Sequence, residues 1–190
     1  PVSAVEIKFF SAKDGVNGDE LWKTDGTATG TVLVKDINTA AGAGSFPDGF
    51  IVFNGATYFS ADDGVNGSEL WKTDGTAAGT VLVKDINTAA GAGSGPSGFT
   101  ELLGALYFSA DDGVQGFELW KTDGTAAGTV LVKDLNNADG IGASSSPHEF
   151  TRLNGALYFQ ANGGVRFNGF ELFKTDGTDA GTGMVKNIFE

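Results

Sequence analysis

Residues Glu20–Thr27 read ELWKTDGT, and the same eight letters recur at Glu69–Thr76 and at Glu118–Thr125. A fourth copy, Glu171–Thr178, differs only at Phe173, where the others carry Trp22, Trp71 and Trp120. The motif aspartates Asp25, Asp74, Asp123 and Asp176 lie 49, 49 and 53 residues apart. Copies two and three also share an unbroken identical run, Glu69–Asp85 and Glu118–Asp134. The chain is four tandem copies of one unit. A period of about 50 residues without helical periodicity predicts propeller blades rather than a helical solenoid.

Working outward from the motif in copy three, four short strand signals emerge. Phe99–Leu103 reads as strand a, Ala105–Ala110 as b, Phe117–Thr122 as c and Thr129–Lys133 as d. All are rich in aromatic and β-branched residues. Asn54-Gly55 and Asn154-Gly155 separate a from b in copies two and four, a pair suited to a tight hairpin with positive φ. Strands b and d are apolar on both faces, so both faces must be covered, as when four-stranded blades stack around an axis. The expected fold is all-β: a β-propeller of four four-stranded blades, covering approximately 1–46, 47–95, 96–146 and 147–190. Half of an eight-bladed ring and a β-solenoid are the alternatives. Copy one is expected to start with strand a at Pro1–Val5, without the Asn-Gly turn.

Composition narrows the function. The 190 residues include 30 Gly and 15 Phe, one His and no Cys. Without Cys there is no disulfide scaffold, thiolate zinc site or cysteine nucleophile, and one His cannot build a multi-histidine metal centre. With 24 acids against 12 bases the net charge is -12, which argues against nucleic-acid backbones and anionic membrane surfaces. Apolar runs are too short for membrane insertion. The chain starts at Pro1, which reads as a processed product or an excised piece.

The repeated motif, followed by Ala-Ala-Gly-Thr-Val-Leu-Val-Lys-Asp-Ile-Asn, resembles the bacterial ELWxxDGT repeat. The resemblance covers essentially the whole chain. It implies a secreted or cell-surface setting, adhesin-like architecture and a β-propeller, and it implies little about chemistry. Copy four departs at Phe173, Gly183 and Asn187 and carries an insertion around Arg166-Phe167, as an end unit with a different neighbour does.

Two sets of loops are candidates for binding. The b–c loops gather Asp14 and Asn17, Asp62, Asp63 and Asn66, then Asp111, Asp112 and Gln115, with Asn168 in copy four. Asp14, Asn17, Asp63, Asn66, Asp112, Gln115 and Asn168 are the expected ligand contacts. Paired carboxylates suit a hard, oxygen-seeking ion, so calcium is expected at Asp62, Asp63, Asp111 and Asp112. The d–a connections, long and Gly-rich, are expected at the same end of each blade. The Thr-Asp-Gly-Thr segment reads instead as a structural turn closed by its own Asp and Thr side chains.

The remaining candidates read as structure. Glu20, Glu69, Glu118 and Glu171 are expected to pair with a neighbouring blade's lysine, such as Lys23, Lys72 or Lys121, and the tryptophans to form blade-to-blade core. His148 stands alone in a loop, and no Gly-x-Ser-x-Gly elbow surrounds any serine. Near-identical blades offer repeated positions rather than one special catalytic pair. The expected function is a non-enzymatic, extracellular binding module, lectin- or adhesin-like, with one weak site per blade for a glycan or cell-surface target. The alternatives are a structural repeat subunit and a hydrolase. Association of copies through blade packing is a further expectation.

Overall fold

The computed structural model describes residues 6–137, 140–165 and 169–188. It is all-β, in four sheets. Blade 1 contains β1 (Lys8–Lys13), β2 (Asp19–Thr24) and β3 (Val32–Lys35). Blade 2 contains β4 (Asp48–Phe53), β5 (Ala56–Asp62), β6 (Ser68–Thr73) and β7 (Val81–Lys84). Blade 3 follows with β8 (Ser97–Leu102), β9 (Ala105–Asp111), β10 (Phe117–Thr122) and β11 (Val130–Lys133). Blade 4 has β12 (His148–Leu153), β13 (Ala156–Asn162), β14 (Phe170–Thr175) and β15 (Gly183–Lys186). Strands within each blade are antiparallel neighbours in chain order, the meander of a propeller blade. In blade 1 the described strands correspond to b, c and d, and the strand expected at Pro1–Val5 lies outside the described residues.

The a–b hairpins are two-residue turns with both residues at positive φ: Asn54 at 49° and Gly55 at 79°. Leu103 and Gly104 adopt the same turn at 51° and 79°. Leu103 therefore leaves strand a, contrary to the sequence reading, and its side chain is exposed. A bulky residue pays for this conformation because its Cβ is crowded there.

Each blade turns one face to its predecessor and the other to its successor. Leu21, Val34 and Ile37 of blade 1 pack with Phe59, Ala61 and Trp71 of blade 2. Leu70, Val83 and Ile86 meet Leu106, Phe108 and Trp120, and Leu119 and Val132 meet Leu157, Phe159 and Phe173. Trp71 and Trp120 are blade-to-blade core, as their size demands, while Trp22 on the outer face of blade 1 is half-buried.

Two lysines per blade reach forward to the c–d turn of the next. Lys23 Nζ donates to the Gly75 carbonyl at 2.7 Å and Lys35 Nζ to that of Thr80 at 2.7 Å. Lys72 and Lys84 hold Gly124 and Thr129 in the same way, and Lys121 and Lys133 hold Gly177 and Thr182. Lys35 and Lys84 also lie 5.8 Å from the ring centres of Trp71 and Trp120.

The expected Glu–Lys pairing is therefore replaced. Glu20 is fully buried and accepts from the Ile37 amide at 2.8 Å, the Ser45 amide at 2.9 Å and the Ser45 hydroxyl at 2.5 Å. Glu69 and Glu118 bind the matching residues of the next two connections. A buried carboxylate needs several donors, and here the chain's own d–a loop supplies them.

Among the described residues the stack does not close on itself. Leu21, Leu70 and Leu119 are 0% exposed, but their counterpart Leu172 is 37% exposed. Ile37 and Ile86 are 5% exposed, against 69% for Ile188. The four blades form an open arc.

Candidate functional site

The first strand of each complete blade carries a bulge. Asp48 pairs with Ser60 and Ile51 with Tyr58, so strand a holds one more residue than strand b over that step. The same shift separates Ser97 from Thr100 and His148 from Thr151. Gly49 and Gly98 sit in it at φ 73° and 72°, and Glu149 takes the place at 56°. Bulges re-aim side chains and are frequent next to binding sites.

Here the bulge presents a phenyl ring. Phe50, Phe99 and Phe150 are half-buried, each leaning on a core ring of its own blade: Phe59 at 5.5 Å, Phe108 at 5.6 Å and Phe159 at 5.5 Å. A Cβ on Gly49 would lie 3.0 Å from the Phe99 ring, and one on Gly98 would lie 2.7 Å from Phe150. Each ring thus covers the preceding blade's glycine, which must stay small.

First strands of consecutive blades touch, and the row borders an open hollow of about 610 Å³. Phe50, Phe99 and Phe150 line it together with Lys8, Asp48, Thr100 and Glu149. A second hollow of about 310 Å³ shares Asp48, Gly49 and Gly98 with it and runs between blades 2 and 3 past Phe46, Ser60, Ser68 and Ser97. Ser60 and Ser68 hydroxyls lie 2.7 Å apart on its wall. Apolar rings flanked by carboxylates and hydroxyls can hold a polar ligand that also has an apolar face.

Sequence differences collect here. Between 46–68 and 95–117 copies two and three differ at nine positions, and six of these fall between 46 and 54. The following 17 residues are identical. The scaffold and the phenyl rings repeat, while positions 46, 48, 51 and 68 on the walls of the two hollows change.

The b–c loops lie at the same end as the d–a loops, as expected: the Gly18 amide donates to the Ala43 carbonyl at 2.9 Å. The predicted loop carboxylates serve their own turns. Asp14 accepts from the amides of Val16 and Asn17, both at 2.8 Å, and from the Asn17 side chain at 3.0 Å. Those amides hold its carboxyl below the ordinary range. Asp63 makes the same three bonds with Val65 and Asn66. Burial pushes Asp63 up, and the amides of Asn66 and Val65 outweigh it, so the net shift is downward. Asp112 accepts from Val114 and Gln115 amides, while Asp62 and Asp111 accept from Gly64 and Gly113. Asn168 lies outside the described residues. Asp14, Asn17, Asp63, Asn66, Asp112 and Gln115 line neither hollow. Of the residues expected to hold calcium, Asp62, Asp63, Asp111 and Asp112 each spend one oxygen on a turn amide. Among the described residues no three His, Asp or Glu side chains cluster as metal ligands do.

The Thr-Asp-Gly-Thr turn is structural, as read. Asp25 Oδ1 accepts from the Thr27 amide and hydroxyl at 2.9 and 2.7 Å, and Thr27 Oγ1 accepts from the Gly30 amide at 2.9 Å. His148 is exposed, with Nδ1 2.9 Å from the Ser146 carbonyl and its ring edge-on to Phe170 at 4.9 Å. Sequence reasoning missed the bulge residues. The recurring signal was there: Pro47-Asp-Gly-Phe50, Pro96-Ser-Gly-Phe99 and Pro147-His-Glu-Phe150.

No protein-family model matches the chain, and no match was found among curated proteins. Among solved structures, the chain is similar to a puromycin hydrolase mutant complexed with PGG, with a TM-score of 0.60 at 14% identity. That match covers 94% of this chain and 26% of the hydrolase. A prolyl endopeptidase matches with a TM-score of 0.57 at 13% identity, over 94% of this chain and 24% of the peptidase. The chain thus spans about a quarter of the length of these proteins. At such identity the likeness shows the propeller fold alone. No helix among the described residues is long and apolar enough to cross a membrane.

Proposed function

We propose that this protein is a non-enzymatic binding module that takes a glycan along its row of first strands. The carrying observation is the set of three bulge-borne phenyl rings, Phe50, Phe99 and Phe150, facing one hollow beside Asp48 and Glu149. The C–H face of a pyranose stacks on an aromatic ring, and its hydroxyls donate to carboxylates. Rings repeated blade by blade suit a target that is itself repeated, where several weak contacts add in avidity. Variation on the walls of the two hollows, at positions 46, 48, 51 and 68, supports the same reading, since specificity is set there while the scaffold stays fixed. An extracellular or cell-surface setting, expected from the repeat resemblance, belongs to this proposal.

A glycan array identifies the best oligosaccharide, and titration calorimetry then compares variants. Phe99→Ala is expected to reduce affinity at least ~10-fold, a loss of about 1.4 kcal/mol. Asp63→Ala combined with Asp112→Ala is expected to leave affinity unchanged. If the aspartate pair abolishes binding and Phe99→Ala does not, the ligand sits on the b–c loops and this placement is wrong. No binding to any glycan rejects the function.

A further inference from the structure

We propose that a second copy of this chain covers the open face of blade 4 with its blade 1, and the reverse, so that two chains form one eight-bladed ring. The contact required is one the chain already builds three times. Each internal junction uses an apolar patch, two forward-reaching lysines and an aromatic ring over the next blade's c–d turn. Blade 4 carries the donor half of this junction without a recipient. Leu172 and Val185 are exposed where their counterparts are buried, Ile188 is exposed where Ile37 and Ile86 are buried and Leu135 half-buried, and Lys174 and Lys186 are exposed where Lys72 and Lys84 reach the next turn.

Blade 1 carries the matching recipient half. Gly75, Gly124 and Gly177 are buried under the preceding blade, but Gly26 is exposed. Thr80, Thr129 and Thr182 are buried, and Thr31 is exposed. Phe10 and Trp22 are only half-buried, whereas Phe59 and Trp71 are core. Docking would bring Lys174 to the Gly26 carbonyl and Lys186 to that of Thr31.

One substitution selects this occupant over another ordinary repeat. At the internal junctions a phenyl ring of the following blade lies where a Cβ on Gly49 or Gly98 would stand. Blade 4 has Glu149 there, so a following blade with Phe at that position would strike its Cβ. In copy one the sequence has no Phe to match: the residue 49 positions before Phe50 is Pro1. The two exceptions match each other.

Head-to-tail contacts close into a ring or run on as a filament. Propellers have about 4–8 blades, and two copies of these four blades make eight, within the size such rings reach. The ring would also complete the phenyl-lined hollow, which one chain walls on only part of its circuit.

Sedimentation velocity with light scattering on the 190-residue chain tests this. The expected species has twice the 19.5 kDa chain mass. Leu172→Glu with Ile188→Glu is expected to give the single-chain mass with an unchanged far-ultraviolet spectrum, because both side chains are exposed within the chain. Thr31→Arg is expected to do the same from the other end. Mixing the two variants is expected to restore a dimer, since one of the two junctions then joins two unaltered faces. A wild-type monomer, a series of larger polymers, or mixed variants that stay monomeric would each overturn the ring.

Discussion

Ser94 meets Glu69 twice: its hydroxyl donates to Oε2 at 2.5 Å and its amide to Oε1 at 2.9 Å. With the amides of Ile86 and Asn87 at 3.0 and 3.2 Å, the carboxylate fixes both ends of the connection between blades 2 and 3. Glu69→Ala leaves those buried amides without an acceptor and is expected to cost about 3 kcal/mol, each orphaned group costing roughly 1–3. Glu69→Gln keeps one carbonyl and should cost less. Urea denaturation measures both, and equal losses would show that packing matters more than the bonds.

Stability should peak in mildly acidic solution. Burial pushes the Glu118 carboxyl from 4.5 up to about 7, against the Leu135 amide and the Ser145 hydroxyl, and burial also raises Glu69. A carboxyl raised in the folded state contributes stability that is complete below 4.5 and lost as pH rises through about 7. Asp25, Asp74, Asp123 and Asp176 shift the other way, held down by the hydroxyl and amide of the Thr two residues on. Their contribution is present above 3.8 and lost as pH falls. Denaturation midpoints are expected to be highest at ~4.5 and lower at both ~3 and ~8. A midpoint that climbs steadily to pH ~8 contradicts this.

Gly124→Ala should destabilise more than Gly26→Ala. Both glycines have positive φ, 96° and 89°, so both substitutions carry the same backbone strain. Only at Gly124 would the new methyl meet the Tyr58 hydroxyl, 2.2 Å away, while nothing lies within 4 Å at Gly26. Overpacking adds about 1–3 kcal/mol. Thermal melts of the two variants give the difference directly, and equal melts would mean that Tyr58 moves aside freely.

Trp71→Ala is expected to cost roughly 3–5 kcal/mol, because it empties the junction between blades 1 and 2. It also removes the ring beside Lys35. Denaturant unfolding monitored at a second, distant junction shows whether blades 3 and 4 survive the loss.

Much of the architecture was legible because strands b, c and d are short and rich in aromatic and β-branched residues, and the turns between them carry Asp, Gly and Thr. The tryptophans were legible from their size, since so large an indole finds cover only between blades. The partner of Glu69 was not. Ser94 lies 25 residues downstream at the end of a Gly-Ala run, and nothing local marks it as a donor. The bulge at Gly49 was hidden because one extra residue inverts the alternation that strand reading depends on. Openness of the arc was also illegible: Lys174 and Lys186 have the same identities as lysines that are engaged elsewhere, and only the missing neighbour distinguishes them.

The forward reach of the lysines gives the chain a direction in time. Lys23 grips a carbonyl 52 residues later, and Lys121 one 56 residues later. On a ribosome each blade is therefore complete, with its clamps presented, before the turn it will hold has been made. A nascent blade emerges beside a finished template and docks onto it as its c–d turn appears. Assembly of these blades is expected to run from the amino end, each pair of clamps waiting for the turn that follows it.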